Sequence, residues 1–244
     1  QEESMGKEYD FFKDKGLHNE SIDLGFNHKS GLFVNGGYTR NNHGGWQGDL
    51  TGREKRWHPK DQALMNGMFG FQNRNMNVWY RLDFLDEKIF GPNNGSELQP
   101  EKVSDKDFLT KRQTHQLQSD WKLDNRLDVH AALSYQDYKR RTRTTESDLS
   151  TGEKWLSSAE ASQDITQYKA WIARATVAWN IAPEFSVQPG VEYQWTQGEG
   201  GRIDGTPKVS DLAFFLSAEY KPWEWLSLRP GVRAFIVADY DAPI

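Results

Sequence analysis

The stretch Leu127-Asp-Val-His-Ala-Ala-Leu-Ser-Tyr135 sets Leu127, Val129, Ala131, Leu133 and Tyr135 at alternate positions, with Asp128, His130, Ala132 and Ser134 between them. Side chains of an extended chain point to opposite sides in turn, so this segment reads as a strand with one apolar and one polar face. The same period recurs on either side of it. Trp171, Ala173, Ala175, Val177 and Trp179 alternate with Ile172, Arg174, Thr176 and Ala178. Met76, Val78, Tyr80, Leu82 and Phe84 alternate with Asn77, Trp79, Arg81 and Asp83. Phe185, Val187, Val191, Tyr193 and Trp195 form a third such face, and Leu212, Phe214, Leu216, Ala218 and Tyr220 a fourth. Weaker alternation runs through residues 22–27, 32–40, 65–71, 116–123 and 226–236. The pattern predicts roughly ten strands of about 8 to 11 residues, close to the length that crosses a bilayer at a tilt. No helical period competes with it.

The connections sharpen this reading. Residues 28–31, 73–75, 124–125, 181–184 and 222–225 have the composition of tight turns, whereas 41–61, 86–109, 139–166 and 196–209 are long and polar. Short and long ends alternate along the chain. A soluble barrel has no physical reason to sort its loops by length onto one rim, but an outer-membrane barrel has short periplasmic turns and long extracellular loops. The polar face is also too charged to fill a core. Arg81, Asp83, Asp128, His130, Arg174, Glu192, Glu219, Arg229 and Arg233 would all be buried in it. Tyr80, Trp121, Tyr135, Trp171, Trp179, Tyr193, Trp195 and Tyr220 sit near strand ends, where the aromatic girdles of such a barrel lie.

Composition closes off other classes. The 244 residues carry a formal charge of −5, which offers no global cationic field for nucleic acid. Zero cysteines exclude a disulfide scaffold, a cysteine metal site and a thiol nucleophile. No apolar run approaches the ~18 residues of a transmembrane helix. Gln1 to Asp10 lacks the features of a signal peptide, so an exported chain is expected to have lost its signal already.

The strings Phe185-Ser-Val-Gln-Pro-Gly-Val191 and Leu226-Ser-Leu-Arg-Pro-Gly-Val232 echo each other, each starting a strand after a short turn. Pro189 and Pro230 each remove a ladder donor, which predicts a bulge near the periplasmic rim.

The segment Tyr220-Lys-Pro-Trp-Glu-Trp-Leu-Ser-Leu-Arg-Pro-Gly-Val-Arg233, continuing into Asp239-Tyr-Asp-Ala-Pro-Ile244, resembles the barrel of TonB-dependent outer-membrane receptors, particularly those of Bacteroidetes-type bacteria. Residues 69–84 and 127–138 are similar in style. The resemblance implies an antiparallel up-and-down transmembrane β-barrel of about twenty-two strands around an N-terminal plug. It implies import of a scarce ligand such as a siderophore, haem, cobalamin or a glycan, in the outer membrane and without enzymatic chemistry. The implied partners are outer-membrane lipid, the plug and remaining strands of the same receptor, the energy-coupling TonB protein reached through the plug, and a surface lipoprotein as a capping subunit. Residues 1–244 show no plug-like region, and Asp241-Ala-Pro-Ile244 lacks a terminal strand closing on an aromatic residue. The expectation is therefore a single partial-barrel domain, part of a longer chain.

Candidate ligand-binding residues fall in two long connections. His43, Trp46, Arg53, Arg56, Trp57 and His58 combine imidazoles, cations and aromatic rings able to hold an iron chelate, a haem or an anion, against the plainer reading of an ordinary polar loop. Lys139, Arg140, Arg141 and Arg143 form a basic cluster suited to lipopolysaccharide phosphates or an acidic ligand, against the plainer reading of a solvated charge run. Asp128 and His130 share a face beside Arg126 but have no nucleophile at a defined spacing, and Asp83, Asp86 and Glu87 read as rim residues. No catalytic residue, metal site or cofactor is expected. Two rivals remain at this stage: a free-standing ten-stranded outer-membrane enzyme, and a soluble ligand-binding barrel.

Overall fold

The structure, a computed structural model, describes residues 16–201, 203 and 205–240, with side chains as far as Ile236. The expectations that rest on Gln1 to Asp10 and on Asp241 to Ile244 lie outside the described residues. Within them the chain is all β. Its strands are β1 (Leu17–Asn27), β2 (Leu32–His43), β3 (Lys60–Gln72), β4 (Met76–Gly91), β5 (Lys102–Lys122), β6 (Leu127–Asp148), β7 (Lys154–Leu156), β8 (Ile165–Ala182), β9 (Phe185–Gly200), β10 (Lys208–Trp223), β11 (Leu226–Leu228) and β12 (Gly231–Tyr240).

All twelve belong to one antiparallel sheet in which chain neighbours pair in turn. β7 is a short flap on β6, and β11 and β12 are two pieces of one ribbon along β10. Ten ribbons result, as the alternation predicts.

Register keeps the two faces separate across the whole sheet. One cross-strand row runs Phe26, Val34, Phe69, Tyr80, Leu117, Leu133, Ala173, Tyr193, Leu212 and Ile236, each the partner of the next. The next row on the opposite face runs Gly70, Trp79, Gln118, Ala132, Arg174, Glu192 and Ala213. A slip of one residue anywhere would exchange the faces, so the unbroken row is a stringent match between pattern and pairing.

No second layer covers the apolar face among the described residues. Among the described residues only Val103 and Ala213 are buried apolar side chains, while Leu24 is 71% and Phe26 61% exposed. Val129 and Val177 are cross-strand partners on one face, side by side rather than opposed across a core. Burying a large apolar side chain is worth about 1.5–3 kcal/mol, and a chain of this size that leaves its apolar face bare in water forgoes its main driving force. The face requires another apolar medium.

Rings mark where that medium ends. Toward the long loops, Tyr80, His115, Tyr135 and Trp171 form a chain with centroids 6.0, 5.9 and 4.5 Å apart. Trp195 pairs with Trp171 and extends it. Toward the short turns lie Trp121, Trp179 and Tyr220, with Trp223 and Trp225 stacked beyond them.

One expectation needs correction. The strands are longer than the alternation suggests: β5 spans 21 residues and β6 spans 22. The ladder continues past the apolar band with polar residues on both faces, where alternation of hydropathy ceases but backbone pairing does not. The connections shorten to 44–59, 92–101, 149–164 and 201–207, and Lys139, Arg140, Arg141 and Arg143 lie within β6 rather than in a loop. Bulges do lie at the short turns, as expected, between Asn180 and Ala182 and between Tyr220 and Trp223, and a further register shift lies at Ser210 and Asp211 toward the long loops. Pro189 stays in register with Leu216 but leaves its β8 side unpaired, and Arg229 with Pro230 separates β11 from β12.

Beyond the apolar band, β6 ends on Asp148. Its carboxylate accepts hydrogen bonds from the Ser150 amide (2.9 Å), the Ser150 hydroxyl (2.5 Å) and the Thr151 amide (3.2 Å). These donors hold its pKa below the ordinary carboxylate value. A depressed pKa stabilises the turn above the ordinary value, and that support is lost as pH falls through the lowered one. Exchange of the Ser150 and Thr151 amides should therefore accelerate, relative to the intrinsic rate, only as pH drops below the usual carboxylate range. A flat protection profile down to that range and through it would contradict this.

Candidate functional site

The loop 44–59 leaves β2 at His43 and returns into β3 at Lys60. It is pinched by an antiparallel bridge in which the Trp46 amide donates to the Trp57 carbonyl at 2.9 Å and the Trp57 amide donates back at 3.0 Å. Gly45 makes the pinch possible. Its φ is +83°, and a Cβ there would lie 2.8 Å from the Pro59 ring and 2.9 Å from the Trp57 carbonyl oxygen.

The bridge brings three of the six residues expected in this loop into contact. The indole rings of Trp46 and Trp57 are 5.4 Å apart, and His43 lies 6.0 Å from Trp57. Trp57 is 53% exposed, so the trio offers an open aromatic face at the rim of the sheet. Such a face suits flat or sugar-like ligands through stacking and CH contacts.

The cations of the loop are engaged elsewhere. Arg53 forms a two-pronged pair with Asp105 at 3.0 and 2.6 Å, and also donates to the Asn93 carbonyl at 2.8 Å. Its own amide donates to the Asn94 side chain at 2.7 Å. Asp105 in turn accepts from the Asn93 amide at 3.0 Å. Arg53 thus ties the loops 44–59 and 92–101 to β5. Arg56 pairs with Asp49 at 2.6 Å in an exposed contact of little energetic weight, and His58 packs beside Gly91. Arg53→Ala should release both loops. Losing a charged, partly buried pair makes amide exchange at Trp46 and Trp57 faster by roughly tenfold or more. Unchanged exchange would show that the bridge needs no support from Arg53.

The basic run divides between the two faces. Lys139, Arg141 and Arg143 share the face of Leu133 and Tyr135, while Arg140 goes to the other, its guanidinium 4.7 Å from the centroid of Phe108. Arg143 pairs with Asp107, which Lys88 also approaches at 3.6 Å.

The polar face is laced with ion pairs that the alternation anticipates in kind but not in partner. Arg81 pairs with Asp83 at 2.8 Å. His130 bonds to Asp120 on β5 at 2.8 Å rather than to Asp128. Glu219 pairs with Arg229 at 2.7 Å and Lys221 at 3.1 Å. The most buried of these groups is Glu192, which accepts from Arg174 at 2.8 Å, Arg233 at 2.5 Å and Gln194 at 2.9 Å. Phe215 lies across Gly190, where a Cβ would meet its ring at 2.2 Å. The guanidinium groups of Arg174 and Arg233 sit 5.3 and 5.8 Å from its centroid. This cluster escaped the sequence reading. Phe215 breaks the polar phase of β10, and that break is the one signal it left.

No family model matches the chain, and neither does any curated protein. Solved structures do. The outer membrane transporter YddB from Escherichia coli superposes with a TM-score of 0.65 at 13% identity, over 90% of this chain and 34% of that one. The unliganded ferric citrate transporter FecA gives 0.49 at 12% identity, over 89% and 36%, respectively. The ferric yersiniabactin uptake receptor FyuA from Yersinia pestis gives 0.41 at 11%, over 90% and 43%. The first likeness bears on the fold alone, and the chain spans about a third (34%) of that transporter's length. The sheet thus has the fold of an arc of an antiparallel up-and-down β-barrel like that of the outer-membrane transporter, with one apolar and one ionic face.

Proposed function

We propose that this chain forms part of the wall of a TonB-dependent outer-membrane receptor that imports a scarce ligand, such as a siderophore, haem, cobalamin or a glycan. The observation that carries this reading is the single apolar row crossing all ten ribbons with no layer over it among the described residues, opposite a face of ion pairs. The likeness to YddB, a transporter by description, supports transport over catalysis. In this reading residues 1–244 are one stretch of barrel in the outer membrane. The plug, the remaining strands, TonB and a surface lipoprotein are its partners, and His43, Trp46 and Trp57 form part of the surface that captures ligand.

Among the described residues β1 and β12 lie at opposite edges of the sheet and do not pair, which disfavours a closed ten-stranded enzyme. The test is growth of cells carrying or lacking the full-length gene, with each ligand class in turn as the limiting source. Uptake of one class that is lost on deletion, and lost again without TonB, supports the proposal. Uptake indifferent to both deletions, or a full-length protein that stays monodisperse without detergent, overturns it.

A further inference from the structure

The sequence holds three Asn-Gly pairs, the dipeptide whose asparagine most readily loses its amide nitrogen, because glycine leaves the following main-chain nitrogen unshielded. Two of them are locked. Asn35-Gly36 lies in β2 and Asn66-Gly67 in β3, with Gly36 and Gly67 directly opposed. Both strands are paired on both sides, so the chain there is extended and the glycine amides are held in the ladder. Asn94-Gly95 lies in the loop 92–101 instead. Asn94 is exposed, and the Gly95 amide donates no hydrogen bond among the described residues.

The Asn94 carboxamide is also the clasp between two loops. Its Oδ1 accepts from the Arg53 amide at 2.7 Å, and its Nδ2 donates to the Thr51 carbonyl at 3.0 Å. Those two bonds grip loop 44–59, which carries Trp46 and Trp57. Behind the clasp the fit is close: a Cβ at Gly95 would lie 2.6 Å from the Gln99 carbonyl oxygen and 2.5 Å from that of Pro100. The bond to Oδ1 has a chemical consequence as well. Negative charge develops on that oxygen when a nucleophile adds to Cγ, and a donor already in place stabilises it.

We propose that Asn94-Gly95 is a site of self-modification which, once converted, unfastens loop 44–59 from loop 92–101. The Gly95 nitrogen gives up its proton to solvent and adds to Asn94 Cγ. The Cγ–Nδ2 bond then breaks, and Nδ2 takes a proton from solvent and leaves as ammonia. Water opens the resulting five-membered imide at either carbonyl, giving aspartate or isoaspartate. Nucleophile and electrophile are neighbours in one chain, so water is the one reactant drawn from outside. Aspartate puts an oxygen where Nδ2 stood, facing the Thr51 carbonyl, and the donor that held Thr51 is gone. Isoaspartate adds a methylene to the main chain beside Gly95, where Gln99 and Pro100 leave no room.

Peptide mapping by mass spectrometry tests this on the full-length protein in detergent, held at mildly alkaline pH with a denatured sample in parallel as the reference. The folded protein should convert Asn94 at least about tenfold faster than Asn35 or Asn66, whereas the denatured chain converts all three alike. Isoaspartate should appear at Asn94, and amide exchange at Trp46 and Trp57 should quicken by about tenfold in the converted fraction. Asn94→Asp should show that faster exchange without ageing. Asn94→Gln, whose longer side chain disfavours the ring closure, should release no ammonia from this position. Asn94 left intact in the folded protein while the denatured chain converts it would overturn the proposal. So would conversion of all three pairs at one rate in the folded protein, or unchanged exchange at Trp46 and Trp57 after conversion.

Discussion

Leu133→Arg in the full-length barrel should cost about 1–3 kcal/mol of unfolding free energy, whereas Gln136→Arg, three residues along the same strand, should cost less than about 0.5 kcal/mol. Leu133 sits in the row between Leu117 and Ala173, flanked by Ala131 and Tyr135 on its own strand. A guanidinium there has no polar partner within the row and must be desolvated or must drag water and headgroups toward the midplane. Gln136 is on the opposite face, between Thr114 and Ala170, where the interior is aqueous and mixed in charge. Denaturant titration of the refolded barrel in lipid vesicles measures both. Equal costs on the two faces would mean that the apolar row does not meet lipid, and the assignment of inside and outside would fail with it.

That contrast was legible in the sequence because a strand's two faces are encoded by a period of two, and β6 and β8 keep it through their apolar parts. The turns were legible for a similar reason: Asn73 to Asn75 and Pro183 with Glu184 have compositions that end strands. The upper halves of β5 and β6 were not. From Lys102 to Lys111 and from Gln136 to Asp148 neither face keeps a run of apolar residues at alternate positions, so periodicity carries no information while the backbone ladder continues. The basic run at Lys139 therefore reads as a loop from sequence alone, although its alternate members point to opposite sides of the sheet.

The candidate site was legible only as a composition. Rings, imidazoles and cations share residues 43–58, but which of them meet depends on the bridge between Trp46 and Trp57, and nothing local in sequence announces a bridge across eleven positions. Arg53 looked like a ligand residue and is occupied by Asp105, a partner 52 positions away. Cross-strand partners of this kind follow from register, and register emerges only when all the strands are laid side by side.

Glu192→Leu should be comparably costly, about 2–4 kcal/mol, for a different reason. Its side chain is 7% exposed and accepts from Arg174 on β8 and Arg233 on β12, so it ties its own β9 to β8 on one side and, across β10, to the last ribbon on the other. Removing it leaves two guanidiniums beside each other over Phe215 without a counter-charge. Breaking a buried pair this way typically costs 3–5 kcal/mol, and the partial exposure of Arg174 (50%) and Arg233 (34%) reduces that here. Glu192→Gln keeps one oxygen acceptor and should cost about half as much. The decisive comparison is the triple variant Arg174→Met, Glu192→Leu, Arg233→Met. If the penalty comes from stranded cations, the triple variant should be more stable than Glu192→Leu alone, because the charges that needed a partner have gone. Additive losses in the denaturant midpoints would instead mean that each arginine packs independently against Phe215 and Phe235, and that Glu192 is one acceptor among several rather than the anchor of the cluster.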